Sequence, residues 1–103
     1  MKLTGPDGVA GTVVASDGAA LFVAHGLEDA PNDRTHQLWL MDGDCGSQGA
    51  DCTIVSGGTF EPRDGVAIVE TSQELSSFND AAVTIEPAGG SDQPTVDPLF
   101  SSL

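Results

Sequence analysis

The sequence predicts an all-β domain: an immunoglobulin-like or related antiparallel β-sandwich of about seven strands, or a partly open barrel. Three observations favour this class. Apolar and polar residues alternate with a period of two, Gly, Asp and Pro turns separate these segments about every 8 to 15 residues, and 13 glycines and six prolines disfavour long helices. The chain of 103 residues fits a single domain, 1–103.

The first predicted hairpin lies near the amino terminus. Residues 9–15 alternate and predict a strand, and residues 20–25 resume as an apolar run that is too short for a typical helix. Asp17 and Gly18 lie between them, and an Asp-Gly pair is typical of a two-residue hairpin turn.

The most apolar segment covers residues 35–41 and predicts a central strand that is covered on both faces. Trp39, the single tryptophan, is expected at the centre of the core, because aromatic side chains dominate core burial. The following residues, 42–52, consist of turn-forming residue types and predict a loop.

Two further strands are predicted in the second half of the chain. The segment 53–60 is interrupted by Gly57 and Gly58, which indicates a bulge or a sharp bend. The segment 66–70 follows a Pro-Arg-Asp-Gly turn and predicts the next strand.

The carboxyl-terminal third begins with residues 71–74, Thr-Ser-Gln-Glu, which have the form of a capping box. They predict at most one short helical element, near residues 72–78. Alternation returns over residues 81–86, with Thr84 and Glu86 outward, and Pro87 ends this strand because proline cannot donate to a ladder. Residues 97–103 are expected to form an extended tail.

The charge balance excludes one class of partner. Sixteen acidic residues against three basic ones give a net charge of −13, which repels the phosphate backbones of nucleic acids and anionic lipid headgroups. We therefore expect no nucleic-acid partner. The acid excess is typical of a solvated surface that keeps a small domain monomeric through self-repulsion.

Two segments together resemble a known family. Residues 34–43, RTHQLWLMDG, resemble the strand "GKTYQLWLI.dG", and residues 83–95, VTIEPAGGSDQPT, resemble the segment "VTvEPaGGSpqPT" of the C-terminal domain of anti-sigma-K factors. The likeness covers roughly residues 9–96. His36 departs from it, because the family commonly has tyrosine there. Eight positions carry the matched motifs, and we assign them a structural role: Gln37, Leu38, Trp39, Glu86, Pro87, Gly89, Gly90 and Pro94.

Physical roles follow for several of these positions. Gln37 is expected to be a buried amide that ties the backbone of a loop. Pro87 ends its strand, Gly89 and Gly90 permit positive φ in a tight reversal, and Pro94 extends the chain again.

The resemblance implies a membrane-anchored bacterial regulator whose cytoplasmic segment holds a sigma factor inactive. This chain would be its extracytoplasmic domain, since it contains neither a spanning helix nor a cytoplasmic His/Cys segment. Sigma factor release would follow regulated proteolysis, with this domain as sensor or guard and a protease or envelope component as partner. We expect no catalysis and no cofactor. The alternative is a small secreted adhesive or carbohydrate-binding β module that uses Trp39 and exposed loop acids.

Cys45 and Cys52 lie in one glycine-rich loop, and in an extracytoplasmic setting we expect a disulfide between them. Closing this ring would stabilise the domain by about 2 to 3 kcal/mol. The alternative is that both cysteines are free thiols without a function. A zinc site is disfavoured, because it needs four ligands and the two cysteines do not form a CxxC pair. A catalytic cysteine is disfavoured because nearby carboxylates raise a thiol pKa.

Support for other metal sites or for catalysis is weaker. Three aspartates of the loop 42–51 could supply oxygens to calcium, but a solvated acidic loop is the commoner explanation: Asp42, Asp44 and Asp51. Four residues are the ligand types of a blue-copper site but lack its compact order: His25, His36, Met41 and Cys45. No G-x-S-x-G motif is present, and the histidines have no evident serine partner. We therefore expect neither a metal site nor an enzyme.

Overall fold

The computed structural model describes residues 1–45 and 51–103. This part of the chain contains eight strands: β1 (Lys2–Thr4), β2 (Ala10–Ser16), β3 (Ala19–His25), β4 (Arg34–Gly43), β5 (Cys52–Phe60), β6 (Ala67–Thr71), β7 (Asp80–Pro87) and β8 (Phe100–Ser101). Its helical content is two 3-10 turns, Pro6–Gly8 and Leu75–Ser77. The all-β prediction is confirmed.

All strand pairs are antiparallel, and the order across the sheet is β5-β4-β7-β8-β1-β2-β3-β6. The terminal strands of this order, β5 and β6, lie against each other, so the sheet curls into a nearly closed, barrel-like sandwich. Within residues 1–45 and 51–103, no helix has the length and apolar character needed to cross a bilayer.

The predicted hairpin between β2 and β3 is confirmed. Ser16 pairs with Ala19, which leaves a two-residue loop. Asp17 has φ 42° and Gly18 has φ 80°, so both central residues lie in the left-handed region that this turn requires.

The predicted irregularity in β5 is a β-bulge. Leu38 pairs with Gly58 and Trp39 with Ser56, so Gly57 is the extra residue opposite β4. A Cβ atom at Gly57 would lie 2.8 Å from Leu38 Cδ2, so this position has room only for glycine. The bulge therefore follows from the packing of β5 over a core leucine.

The core is centred on three phenylalanines from distant strands. The ring centroids of Phe22 and Phe60 are 5.7 Å apart, and those of Phe22 and Phe100 are 6.3 Å apart. Leu38 and Leu40 of β4 are fully buried in the same cluster. These side chains fill the interior of the barrel.

Trp39 is fully buried, but on the other face of β4. Successive side chains of a strand point to opposite faces, so Leu38 and Leu40 take the interior and Trp39 takes the outer face. The expectation that Trp39 lies at the centre of the main core is therefore wrong. Every residue from Thr35 to Met41 is buried, as predicted for a strand covered on both faces.

The short helical element near residues 72–78 is confirmed as the turn Leu75–Ser77, but the capping box is wrong. Thr71 remains in β6, where it pairs with Ala20, and its hydroxyl accepts only the Gln73 amide at 3.4 Å. Glu74 precedes the turn and makes no side-chain cap bond. Sheet pairing thus keeps the chain extended through the residues that would have formed the box.

The tail expected over 97–103 contains β8. Phe100 pairs with Val83 of β7, and Ser101 pairs with Ala82 of β7 and with Thr4 of β1. In the described strands, β8 is the hydrogen-bonded link between β5-β4-β7 and β1-β2-β3-β6. Two residues near the carboxyl terminus therefore hold the two parts of the sheet together.

Candidate functional site

A polar cluster lies on the outer face of β4 and β7, on the side opposite the phenylalanine core. Register pairs Gln37 with Thr84, Thr35 with Glu86 and Trp39 with Ala82, so the side chains of these residues share one face. The segment 88–99 runs across this face. We call the hydrogen-bonded set that holds it the clasp, defined by these residues: Gln37, Trp39, Thr84, Glu86, Ser91 and Thr95.

The clasp contains a hydrogen-bond chain that runs from Trp39 through Thr84 to Glu86. Trp39 Nε1–H donates to Thr84 Oγ1 at 2.8 Å, and the Thr84 hydroxyl donates to Glu86 Oε2 at 2.5 Å. Because an indole nitrogen only donates, Thr84 Oγ1 accepts from Trp39 and keeps its own proton to donate to Glu86. The buried tryptophan is thereby linked to Glu86 through one hydroxyl.

Glu86 is fully buried and receives three further hydrogen bonds. The hydroxyls of Ser91 and Thr95 donate to Oε1 at 2.8 and 2.6 Å, and the Thr95 backbone N–H donates to Oε2 at 3.2 Å. Burial raises the pKa of Glu86, but the bonds from Thr84, Thr95 and Ser91 outweigh it and hold the pKa below its ordinary value. Glu86 is therefore ionised at neutral pH.

Gln37 fixes the same segment at a second point. Its Oε1 accepts the Ser91 N–H at 2.9 Å, and its Nε2 donates to the Ser91 carbonyl at 3.0 Å and to Ser56 Oγ at 2.8 Å. The side-chain amide thus satisfies both backbone groups of Ser91. This is the geometry expected of an amide that ties a loop.

A glycine turn directs the chain into the clasp. Gly89 and Gly90 have φ of 91° and 85°, and the Gly90 N–H donates to the Pro87 carbonyl at 2.9 Å. A Cβ at Gly90 would lie 2.8 Å from Thr59 Cγ2, whereas one at Gly89 would meet no atom within 4 Å. Pro94 lies half-buried in the segment that this turn starts.

The motif residues of the sequence analysis therefore fall into two groups. Gln37, Trp39 and Glu86 meet in the clasp, and Pro87, Gly89, Gly90 and Pro94 shape the segment that it holds, whereas Leu38 faces the barrel interior. Sequence reasoning missed the roles of Thr84, Ser91 and Thr95. Alternation placed Thr84 on the face of Glu86, but only the fold shows that this outward face is covered.

A disulfide joins Cys45 and Cys52, with 5.0 Å between their Cα atoms. It closes the loop between β4 and β5, whose residues 46–50 lie outside the described residues. Beside it, the Asn79 side chain accepts the Gly43 N–H and donates to the Gly43 carbonyl, both at 2.9 Å. Because the two sulfurs are bonded to each other, the alternative interpretations of Cys45 and Cys52 as free thiols, metal ligands or a catalytic cysteine are wrong.

The candidate calcium ligands Asp42, Asp44 and Asp51 are exposed, and the Asp44 N–H donates to the Asp51 backbone carbonyl at 3.1 Å. In the part of the chain that the structure describes, no group of three or more His, Cys, Asp or Glu side chains is placed to hold a metal ion. Residues 46–50 of the predicted calcium loop are not among those described.

The clasp is suited to holding a chain segment. A carboxylate has about four lone-pair sites, and four neutral donors occupy those of Glu86, which leaves no site for proton transfer. Trp39 is fully buried and presents no surface on which a sugar could stack. The fold and clasp define a disulfide-bonded β-sandwich domain whose carboxyl-terminal segment is fastened over its own sheet.

Comparison with known proteins gives the family. The model described as "Anti-sigma-K factor rskA, C-terminal" matches residues 2–99. The chain belongs to this family of anti-sigma factor C-terminal domains, which supports a regulatory role.

A relative from Streptomyces griseus, described as "Uncharacterized protein in phr 5'region", is 33% identical over 100 residues. The match covers 95% of this chain and 38% of the relative, so the chain spans well under half of that protein. No solved structure matches significantly.

Proposed function

We propose that this chain is the extracytoplasmic, noncatalytic domain of a membrane-anchored anti-sigma factor and that it controls sigma factor release through regulated proteolysis. The mechanism is occlusion. The observation that carries it is the placement of β1, which is paired on both edges, with β2 on one side and β8 on the other.

Pairing on both edges protects β1 from a protease. Peptide recognition by strand addition requires an extended segment with free main-chain groups. Leu3 of β1 is fully buried, and β1 pairs with β2 from Lys2 to Thr4. The folded domain therefore withholds this segment: β2 pairs with one edge from Lys2 to Thr4, and β8 must leave before Thr4 is free on its other edge.

The clasp controls whether β8 can leave. Gln37 and Glu86 fasten residues 91–95, which lead directly to β8. Leu99 N–H also donates to the Val83 carbonyl at 2.8 Å, just before β8 begins. Any signal that loosens the clasp would weaken β8 and then β1, which is a physical route from a signal to cleavage.

One further feature supports the extracytoplasmic assignment. Disulfides persist in oxidising compartments, and this domain has the Cys45–Cys52 bond. The alternative of a carbohydrate-binding module loses its main support, because Trp39 is buried.

The test is a matched pair of substitutions in the full-length protein in its native cells. Phe100→Ala removes a β8 side chain that is 2% exposed, and we expect it to destabilise the domain by about 3 to 5 kcal/mol. Leu103→Ala alters a side chain that is 57% exposed and serves as control. We expect faster cleavage and higher sigma-dependent transcription for Phe100→Ala only.

Location is tested separately with protease added to intact cells, which should digest the domain of the Phe100→Ala variant. The proposal is wrong if this variant unfolds the domain while cleavage and transcription stay at the wild-type level. It is also wrong if added protease reaches the domain only after lysis.

A further inference from the structure

A cleft of about 300 Å³ opens at one end of the barrel, and none of the residues that line it belongs to the clasp. Its walls come from the turn between β1 and β2, the connection between β3 and β4, the start of β4, the end of β7 and the residue before β8. We call it the barrel-end cleft. Its apolar walls include Val9, Leu27, Ile85 and Leu99.

His36 lines this cleft and is fully buried. Its ring stacks on Phe60, with centroids 5.3 Å apart and planes inclined by 23°. Neither ring nitrogen has a hydrogen-bond partner. Leaving a buried donor or acceptor unsatisfied costs about 1 to 3 kcal/mol, so the acceptor nitrogen of a neutral ring indicates a hydrogen-bond donor from outside the chain.

The rim of the cleft is acidic. Asp7, Glu28 and Asp29 line it, and none of its lining residues is lysine or arginine. Burial lowers the pKa of His36, against the opposing carboxylates of Glu61 and Asp29, so the imidazole is neutral at neutral pH. The cleft therefore combines a negative rim with a neutral nitrogen acceptor.

We propose that the barrel-end cleft binds an alkylammonium group, with its apolar stem against Val9, Leu27 and Leu99 and its ammonium between the acidic rim and a ring nitrogen of His36. An anion would be repelled by three carboxylates. A metal ion is disfavoured, because no group of three His, Cys, Asp or Glu side chains in residues 1–45 and 51–103 is placed to hold one. An alkylammonium ion matches the apolar walls, the charge and the acceptor together.

Binding requires a small movement of the wall. The ring nitrogens of His36 have essentially no solvent-accessible surface, so a ligand reaches them when a neighbouring side chain shifts. Leu99 is 36% exposed, whereas Val9 and Leu27 are each 6% exposed, and Leu99 is therefore the wall side chain that can move most readily. This inference concerns a ligand and stands independently of the regulatory role proposed above.

The experiment titrates the 103-residue chain with n-butylammonium and with n-butanol, a neutral analogue of the same length, and measures affinity by calorimetry. We expect n-butylammonium to bind at least about tenfold more tightly, as an additional charged contact of about 1.4 kcal/mol provides. The ¹⁵N resonance of the His36 acceptor nitrogen should move with n-butylammonium. Equal affinities for the two probes, or an unmoved resonance at saturation, would overturn the proposal.

Variants separate binding from folding. The double change Glu28→Gln and Asp29→Asn should weaken n-butylammonium binding about tenfold, whereas Glu70→Gln, an exposed glutamate on β6, should leave it unchanged. His36→Phe keeps an aromatic ring on Phe60 and should reduce the preference for ammonium to what the rim carboxylates provide, without lowering the free energy of unfolding. A preference in His36→Phe as large as in the wild type, or equal loss in Glu70→Gln, contradicts the site.

The same ammonium group occurs in free alkylamines and in lysine side chains. Nα-acetyl-lysine methylamide, which carries the side chain on a peptide-like backbone, distinguishes the two sources. Affinity equal to that of n-butylammonium supports a protein lysine as ligand, and affinity at least tenfold lower supports a free amine.

Discussion

Replacing Glu86 by glutamine tests whether the clasp holds the carboxyl-terminal segment through its charge. Glutamine has nearly the shape of glutamate, and its amide oxygen can accept from Thr84 and from the Thr95 N–H. Its amide nitrogen would replace Oε1, where the Ser91 and Thr95 hydroxyls can rotate to accept. Glu86→Gln therefore retains the number of hydrogen bonds and removes their charge assistance.

The expected size follows from the difference between the two kinds of hydrogen bond. A bond to a charged group contributes about 1.5 to 3 kcal/mol and a neutral one about 0.5 to 1.5 kcal/mol. Four bonds change character, and such effects within one network do not add fully, so we expect a loss of about 2 kcal/mol at pH 7. For a domain of this size that lowers the Tm by about 8 to 16 °C.

The pH dependence provides a second signature. The folded pKa of Glu86 lies below its ordinary value of 4.5, so its stabilisation is present above that pH and is lost as the pH falls through the folded pKa. Glu86→Gln lacks this contribution at every pH. The gap in unfolding free energy between wild type and variant should therefore be full at pH 7 and shrink below pH 4.5.

Urea unfolding followed by tryptophan fluorescence measures this directly, because Trp39 is the single tryptophan and hydrogen-bonds within the clasp. Glu70→Gln on the exposed side of β6 is the matched control and should stay within about 0.5 kcal/mol of wild type. A Glu86→Gln protein within that same margin at pH 7, or a gap that is constant from pH 7 to pH 3, would refute the role given to the charge.

Two further predictions concern the turn and the disulfide. Gly89→Ala should lower the free energy of unfolding by about 1 to 2 kcal/mol, because alanine is strained at positive φ. Gly90→Ala should lower it by about 1 kcal/mol more, because its Cβ would also meet Thr59 Cγ2 at 2.8 Å. Equal losses for the two variants in chemical denaturation would contradict this contact. Replacing Cys45 and Cys52 together by serine should lower the free energy of unfolding by about 2 to 3 kcal/mol, and an unchanged denaturation midpoint would show that the ring does not constrain the unfolded chain.

Local patterns were sufficient to predict most of the strands. Asp17-Gly18 specifies a two-residue hairpin because both positions tolerate positive φ, and Gly57-Gly58 predicts a bulge or a sharp bend because glycine inside a strand interrupts regular pairing. These signals lie within a few residues of the structure that they determine. The pairing of Phe100 and Ser101 gave no such signal, since two residues are too few for a periodic pattern.

The candidate sites needed the fold. Alternation puts Thr84 and Glu86 on one face of β7, and the sequence alone predicts that this face is exposed to solvent. Likewise, nothing near His36 in the chain reveals that Asp7 and Leu99 line the same cleft with it.

The sequence alone thus determined the all-β class, the hairpin, an irregularity at Gly57-Gly58 and the covering of β4 on both faces, because each depends on neighbouring residues and on alternation. The tertiary structure alone decided that Trp39 lies outside the barrel core, that Glu86 is a buried and fully hydrogen-bonded carboxylate, and that β8 joins the two parts of the sheet. The physical reason is that burial and hydrogen-bond partners depend on segments that are separated in the chain. Trp39 reaches Thr84 only when β4 pairs with β7, and Glu86 reaches Ser91 and Thr95 only when the following segment folds back over that face.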